Sequence, residues 1–199
     1  VKDSERPIGR TAAQAAGWPG RLSDIDGGMA KASSDPGFPE RYDRDARVSA
    51  EERTAGDPAY PDLAAILDYW NRKRGDRLAP PRSAIDPSDF LEALPRVKLV
   101  DVLRGPKGEL DFRFRLAGTW IGNMLGTELT SQRPLDLQPP QFGALVQAHY
   151  AQCVEQRRPL LHKVEIDSVR RIHKYARLLL PLSSDGEQID MLMTVDSQA

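Results

Sequence analysis

The stretch from Val97 to Ala117 constrains the fold more than any other. It alternates as VKLVDVL, turns through RGPKG, and alternates again as DFRFRLAG. Successive side chains on a strand point to opposite faces, so the pattern states what each face meets. In the first strand Val97, Leu99 and Leu103 are apolar on one face and Val100 and Val102 on the other. Such a strand is central and covered on both sides. In the second, Phe112, Phe114 and Leu116 share one face, while Arg113 and Arg115 share the other. That arginine face is expected to meet water or an acidic partner.

Helical spacing flanks this pair. Leu63, Ile66, Leu67 and Trp70 fall at i, i+3, i+4 and i+7 within Pro61 to Arg74, a single apolar stripe. Pro61 suits the first helical position, and Asp62 meets the positive end of the helix dipole. Arg72, Lys73 and Arg74 sit at the negative end, and Gly75 is a natural stop. A helix this short is not stable alone. Its stripe is expected to dock on the sheet in cis or across a homodimer, which makes Leu63, Ile66, Leu67 and Trp70 the candidate dimer interface.

Leu78 to Arg96 reads as a connector, with Phe90, Leu91 and Leu94 as core anchors and Pro95 as a stop. Gly118 to Leu125 predicts a short helix with Trp120, Ile121, Met124 and Leu125 inward. The strongest helix is Pro139 to Gln156, where Phe142, Leu145, Val146, His149, Tyr150 and Cys153 recur at helical spacing. Three strands follow, near Leu160 to Ile166, Ile172 to Leu182 and Gln188 to Val195, with Asp185-Gly186 as a tight hairpin. The expected architecture is α+β: a five-stranded, mostly antiparallel sheet with helices on one face, preceded by the amphipathic helix.

Composition shifts near residue 58. Before it, Ile8, Trp18, Leu22, Ile25, Phe38 and Val48 stand singly among Gly, Pro, Ser and charged residues. Such a segment buries too little apolar surface to offset its backbone entropy. Residues 1–58 are therefore expected to be a disordered extension and 59–199 a single domain, with a short helix at Arg47 to Thr54 as the alternative. Val1 in place of Met fits an alternative start or a trimmed chain, and Met29 offers another start.

The formal net charge of −1 gives no global field favouring nucleic acid. Cys153 is the one cysteine, which excludes an intrachain disulfide and a zinc site of several thiolates, and suits a cytoplasmic protein. No apolar run approaches the roughly 20 residues that span a bilayer.

Several short motifs occur in order. They are Tyr69-Trp70 before Arg72 to Gly75, Pro81-Arg82-Ser83, Ile85-Asp86-Pro87, Leu99 to Val102, Phe112 to Thr119, and Gly126 with Leu129 and Thr130. Together, over about residues 60–196, they resemble a bacterial PAS family of small, sensor-like proteins. Ser131 stands where that family leads one to expect Gly. The resemblance implies a PAS fold, a role in signal reception, and usually no attached output domain. It supplies neither a ligand nor catalytic residues.

On this reading a ligand pocket lies between the sheet face carrying Phe112, Phe114 and Leu116 and the helices carrying Trp120, Met124, Val146 and His149, with Met191 and Met193 lining it from the last strand. His149, four residues before Cys153 on the long helix, is the sharpest cofactor candidate, because haem-binding PAS domains draw an axial histidine from that helix. The competing and favoured reading is a buried histidine with a hydrogen-bond partner. His149, His162 and His173 show no metal-ligand spacing. Asp101 is expected either to carry a raised pKa in an apolar strand or, preferably, to cap a backbone amide. Arg72 to Arg77 reads as a solvated helix end. No P-loop, nucleophile elbow or dinucleotide fingerprint is visible. Three functions stay open: a PAS module that senses a small molecule or docks a signalling protein, a cone-shaped α+β isomerase or hydrolase, and an adaptor with a filled core.

Overall fold

A computed structural model describes residues 45–168 and 171–198. Among them six strands form one antiparallel sheet. In chain order the elements are β1 (Arg47–Arg53), α1 (Pro61–Arg74), β2 (Val97–Arg104), β3 (Leu110–Ala117), α2 (Thr119–Leu125), α3 (Pro140–Gln156), β4 (Leu160–Ser168), β5 (Arg171–Leu182) and β6 (Met191–Gln198). The spatial order is β1-β4-β5-β6-β2-β3. The five expected strands are all present, and β2 is interior, as its two apolar faces require.

The sixth strand is a correction. β1 lies inside the segment expected to be disordered, and it pairs with β4 from Arg47↔Asp167 to Arg53↔Leu161. It is neither disordered nor the short helix considered for Arg47 to Thr54. As an edge strand whose side chains are mostly exposed, it carries no apolar alternation that a sequence reading could detect. What was expected of residues 1–44 lies outside the described residues.

Strand register assigns the two faces. Val100 pairs with Phe114 and with Leu192, and Val102 with Phe112, so these side chains share one face. Tyr150 of α3 packs edge-on against Phe112 and Phe114, which places α3 on that face. The opposite face carries Leu99, Met191, Met193, Val195 and Ser197. Asp62 of α1 accepts a hydrogen bond from Ser197 Oγ at 2.9 Å, which places α1 there.

The α1 stripe is therefore satisfied in cis. Leu63, Ile66 and Trp70 are buried within the chain, Leu67 is half-buried, and Trp70 Nε1 donates to the Pro181 carbonyl at 2.9 Å. Docking in cis is the first of the two arrangements expected for this stripe. Of the expected connector anchors, Phe90 and Leu94 are half-buried and Leu91 is exposed, and the buried residues there are instead Ile85 and Ala93. Phe90 packs edge-on against Tyr69 at 5.4 Å between ring centroids.

Two local features also depart from expectation. Asp185-Gly186 does not join β5 to β6 directly. It turns within a loop over residues 183–190, where Asp185 accepts from the amides of Glu187 and Gln188 and Gly186 has φ 78°. A bulge between Leu99 and Val100 places Leu116 opposite Leu99, while Phe114 stays opposite Val100. The extra residue breaks the alternation, so Leu116 does not share a face with Phe112 and Phe114.

Candidate functional site

The sheet face beneath α3 is largely apolar but is crossed by a line of polar side chains. Register places Glu52 of β1 opposite His162 of β4, His162 opposite Arg177 of β5, and Arg177 opposite Asp196 of β6. Four polar side chains thus cross four adjacent strands on one face. Lys98 of β2 joins the inner end, where its ammonium pairs with Asp196 Oδ2. Lys98, Arg177 and Asp196 are all buried, each at most 2% exposed. Glu52 is exposed at the outer end, where it accepts from Arg158 at 3.0 Å and Gln152 at 2.8 Å.

Arg177 is the centre of this line. Its Nη2 donates to the Tyr175 hydroxyl. Its Nε lies 3.6 Å from Asp196 Oδ1, within ion-pair range but without a hydrogen bond, and Nη1 has no hydrogen-bond partner. The rings of Phe142 and Tyr175 stand 5.5 Å and 5.4 Å from its Cζ. Burial of an ion costs several kcal/mol, which partners must offset. Here the offset is incomplete, because buried N–H donors remain without acceptors.

The surrounding groups are held neutral. Burial pushes Tyr150 up to about 12 and Tyr175 up as well. Burial, then the neighbouring His162 and Arg177, pulls His149 down to about 3. Burial and Arg177 pull His162 down to about 4, against the opposing influence of Glu52. Burial lowers Lys98 to about 8, although Asp196 works the other way. At neutral pH the cluster therefore holds two cations and one carboxylate.

His149 is buried, as the favoured reading expects, but its neighbour is a ring. It stacks on His162 with centroids 3.7 Å apart, and Nδ1 of both imidazoles is buried without a hydrogen-bond partner. His173 pairs in register with Ile166 and stays half-buried. Cys153 is buried, its thiol pushed up to about 12, with Sγ 3.4 Å from the Arg158 carbonyl. Among the described residues no three His, Cys, Asp or Glu side chains are placed to hold a metal ion.

Of the expected pocket residues, Phe112 and Phe114 pack against Tyr150 of α3, while Val146 and His149 are buried on α3 itself, with His149 stacked on His162. Met124 is buried in α2, and Trp120 packs edge-on against Tyr175 at 5.6 Å. Met191 and Met193 do not join them, since register turns them to the α1 side. Leu192, Thr194 and Asp196 are the β6 residues that face α3. Tyr150 packs edge-on against both phenylalanines and so occupies the place expected for a ligand there. An open groove of about 650 Å³ lies elsewhere, along Glu52, Thr54, Leu67, Asn71 and Arg158.

Asp101 is neither capping an amide nor near His149. It sits on the opposite sheet face, held by Arg115 Nε at 2.6 Å and Arg113 at 3.4 Å. The arginine face thus finds its acid within the chain. Lys98, Arg177 and Asp196 escape the sequence reading. One signal was available: Lys98 and Arg177 each stand between two apolar neighbours in a strand.

Comparison with curated proteins finds no match, and comparison with solved structures finds none. The PAS domain family matches residues 59–195. That span runs from just before α1 into β6, stops one residue short of Asp196, and covers well over half of the 199 residues, so the chain belongs to the PAS domain family.

Proposed function

We propose that this PAS domain works as a sensory module by receiving a small polar ligand between α3 and the sheet, at the Lys98–Arg177–Asp196 cluster. PAS domains are in general sensory and signalling modules. Among the described residues no helix is long and apolar enough to cross a membrane. The observation that carries the ligand reading is the Arg177 guanidinium, 2% exposed with Nε and Nη1 both lacking hydrogen-bond partners. A fold gains nothing in stability from a buried, under-satisfied cation, and such groups concentrate at binding and switching sites. The polar line from Arg177 through His162 to Glu52 runs from this centre to the exposed edge of the sheet, which supports a route for the signal outward.

A second reading is an adaptor that signals through its surface to a protein partner. The Tyr150 packing against Phe112 and Phe114 favours it, because the space expected for a ligand is filled. Native mass spectrometry of freshly purified protein separates the two. A copurified small molecule, lost when Arg177 is replaced, supports the ligand reading. Bare protein that is also indifferent to a broad metabolite panel supports the adaptor.

A further inference from the structure

We propose that the ligand is a small organic monocarboxylate whose carboxylate is received by Arg177; this rests on the ligand-sensing reading above. Charge is the first argument. The buried cluster holds Lys98 and Arg177 against Asp196, and the histidines and tyrosines around it are neutral at neutral pH. One unit of positive charge is uncompensated, and a monoanion neutralises it. A second negative charge on the ligand would itself be left buried without a partner.

Donor chemistry is the second argument. Arg177 Nη1 and Nε offer N–H groups with no acceptor, and hydrogen bonds between an ionised donor and an ionised acceptor are the strong ones. Lys98 already has Asp196 as a partner, whereas two nitrogens of the guanidinium have none. Environment is the third. Phe142 and Tyr175 lie against the guanidinium, and Trp120 packs on Tyr175. Ring faces offer few donors to the remaining oxygens of phosphate or sulfate, but they accept the apolar body of a short-chain acid.

The test is thermal melting of the full chain at constant ionic strength with formate, acetate, propionate and lactate, beside acetamide, propionamide, phosphate and chloride. The expected result is a saturable rise in melting temperature with at least one carboxylate and none with its amide. Arg177→Met should abolish that response while still unfolding cooperatively, since it leaves Lys98 and Asp196 as a balanced pair. Should Arg177→Met fail to fold, Arg177→Lys keeps the charge without the planar fork and is expected to bind at least tenfold more weakly. The proposal is overturned by equal responses to acid and amide, by phosphate acting where carboxylates do not, or by a carboxylate response unchanged in the Arg177 variants. A neutral copurified ligand that Arg177→Met loses would sink the monocarboxylate and leave ligand sensing standing. Silence toward every compound, with bare protein in the mass spectrum, would sink both.

Discussion

The imidazole of His149 lies flat on that of His162, with ring centroids 3.7 Å apart and planes within 7° of parallel. The two rings come from facing elements, α3 and β4, so this contact fastens the long helix to the sheet. It holds only while both rings are neutral, because Arg177 and Arg158 stand nearby and Glu52 is the one acidic neighbour acting on His162.

Acid should therefore loosen the helix. Unfolded histidines take up protons near pH 6.5. The folded pair resists until about pH 4 for His162 and about pH 3 for His149. Between these limits the unfolded state binds more protons, so stability is full above about pH 6.5 and falls as the pH drops toward 4. The slope is roughly 1.4 kcal/mol per pH unit for each histidine. Urea unfolding at intervals from pH 7 to pH 4 should show it. His149→Phe keeps the stack and should flatten the slope relative to wild type; an unchanged slope would refute the pair as its source.

The buried ion pair predicts an asymmetry. Asp196→Ala leaves Lys98 and Arg177 as buried cations without a counterion, and removing one partner of a buried pair costs about 3–5 kcal/mol. Lys98→Met leaves Asp196 beside Arg177, one cation against one anion, and should cost clearly less. Chemical denaturation of both variants checks the order. Equal losses would mean that charge balance does not govern this core.

Trp70 anchors α1 on the sheet, with its indole nitrogen bonded to the Pro181 carbonyl. Trp70→Ala should cost about 3–5 kcal/mol, as for other large-to-small core changes. Because the stripe is buried within one chain, light scattering should give the same mass for wild type and variant. A mass that halves in the variant would show that α1 serves an interface after all.

Ser131 holds φ at 71°, a left-handed conformation that favours glycine. Its amide donates to the Phe114 carbonyl at 2.7 Å, so the loop is tied to β3 and cannot relax the angle freely. Ser131→Gly should raise stability by roughly 0.5–1 kcal/mol, the left-handed penalty less the entropy glycine adds to the unfolded chain. A midpoint shift in urea at unchanged slope would show it, and a loss would mean that the side chain contributes more than the angle costs.

What the sequence makes legible follows from what local patterns can encode. The β2–β3 pair and α3 announce themselves because burial of one face imposes a period on Val100, Val102, Phe112 and Phe114, and on Phe142, Val146, His149 and Tyr150. Leu116 is misplaced by alternation because a bulge is decided by hydrogen bonding between strands, which leaves no mark on composition. Met191 and Met193 fall on the α1 side because a one-residue choice of register exchanges the two faces of β6. The charged cluster is the least legible part. Lys98 of β2 is far in sequence from Arg177 and Asp196 of the consecutive β5 and β6, and only the completed sheet brings the three together.

β1 yields the sharpest test of where the folded unit begins. It contributes seven register pairs to β4, and Glu52 ties its end to Gln152 and Arg158 near the end of α3. Without it, the ladder groups of β4 that pair with β1 lose their partners, and Val164 and Ile166 lose a neighbouring strand. A chain beginning at Asp57 should therefore unfold at lower urea than one beginning at Asp45, and hydrogen exchange should quicken at β4 before it does at β6. The exposed side chains of β1 argue for a modest loss, since edge pairs contribute roughly 0.2–1 kcal/mol each. Coincident unfolding curves for the two chains would show that β1 decorates the sheet without supporting it, and that the folded unit begins at α1.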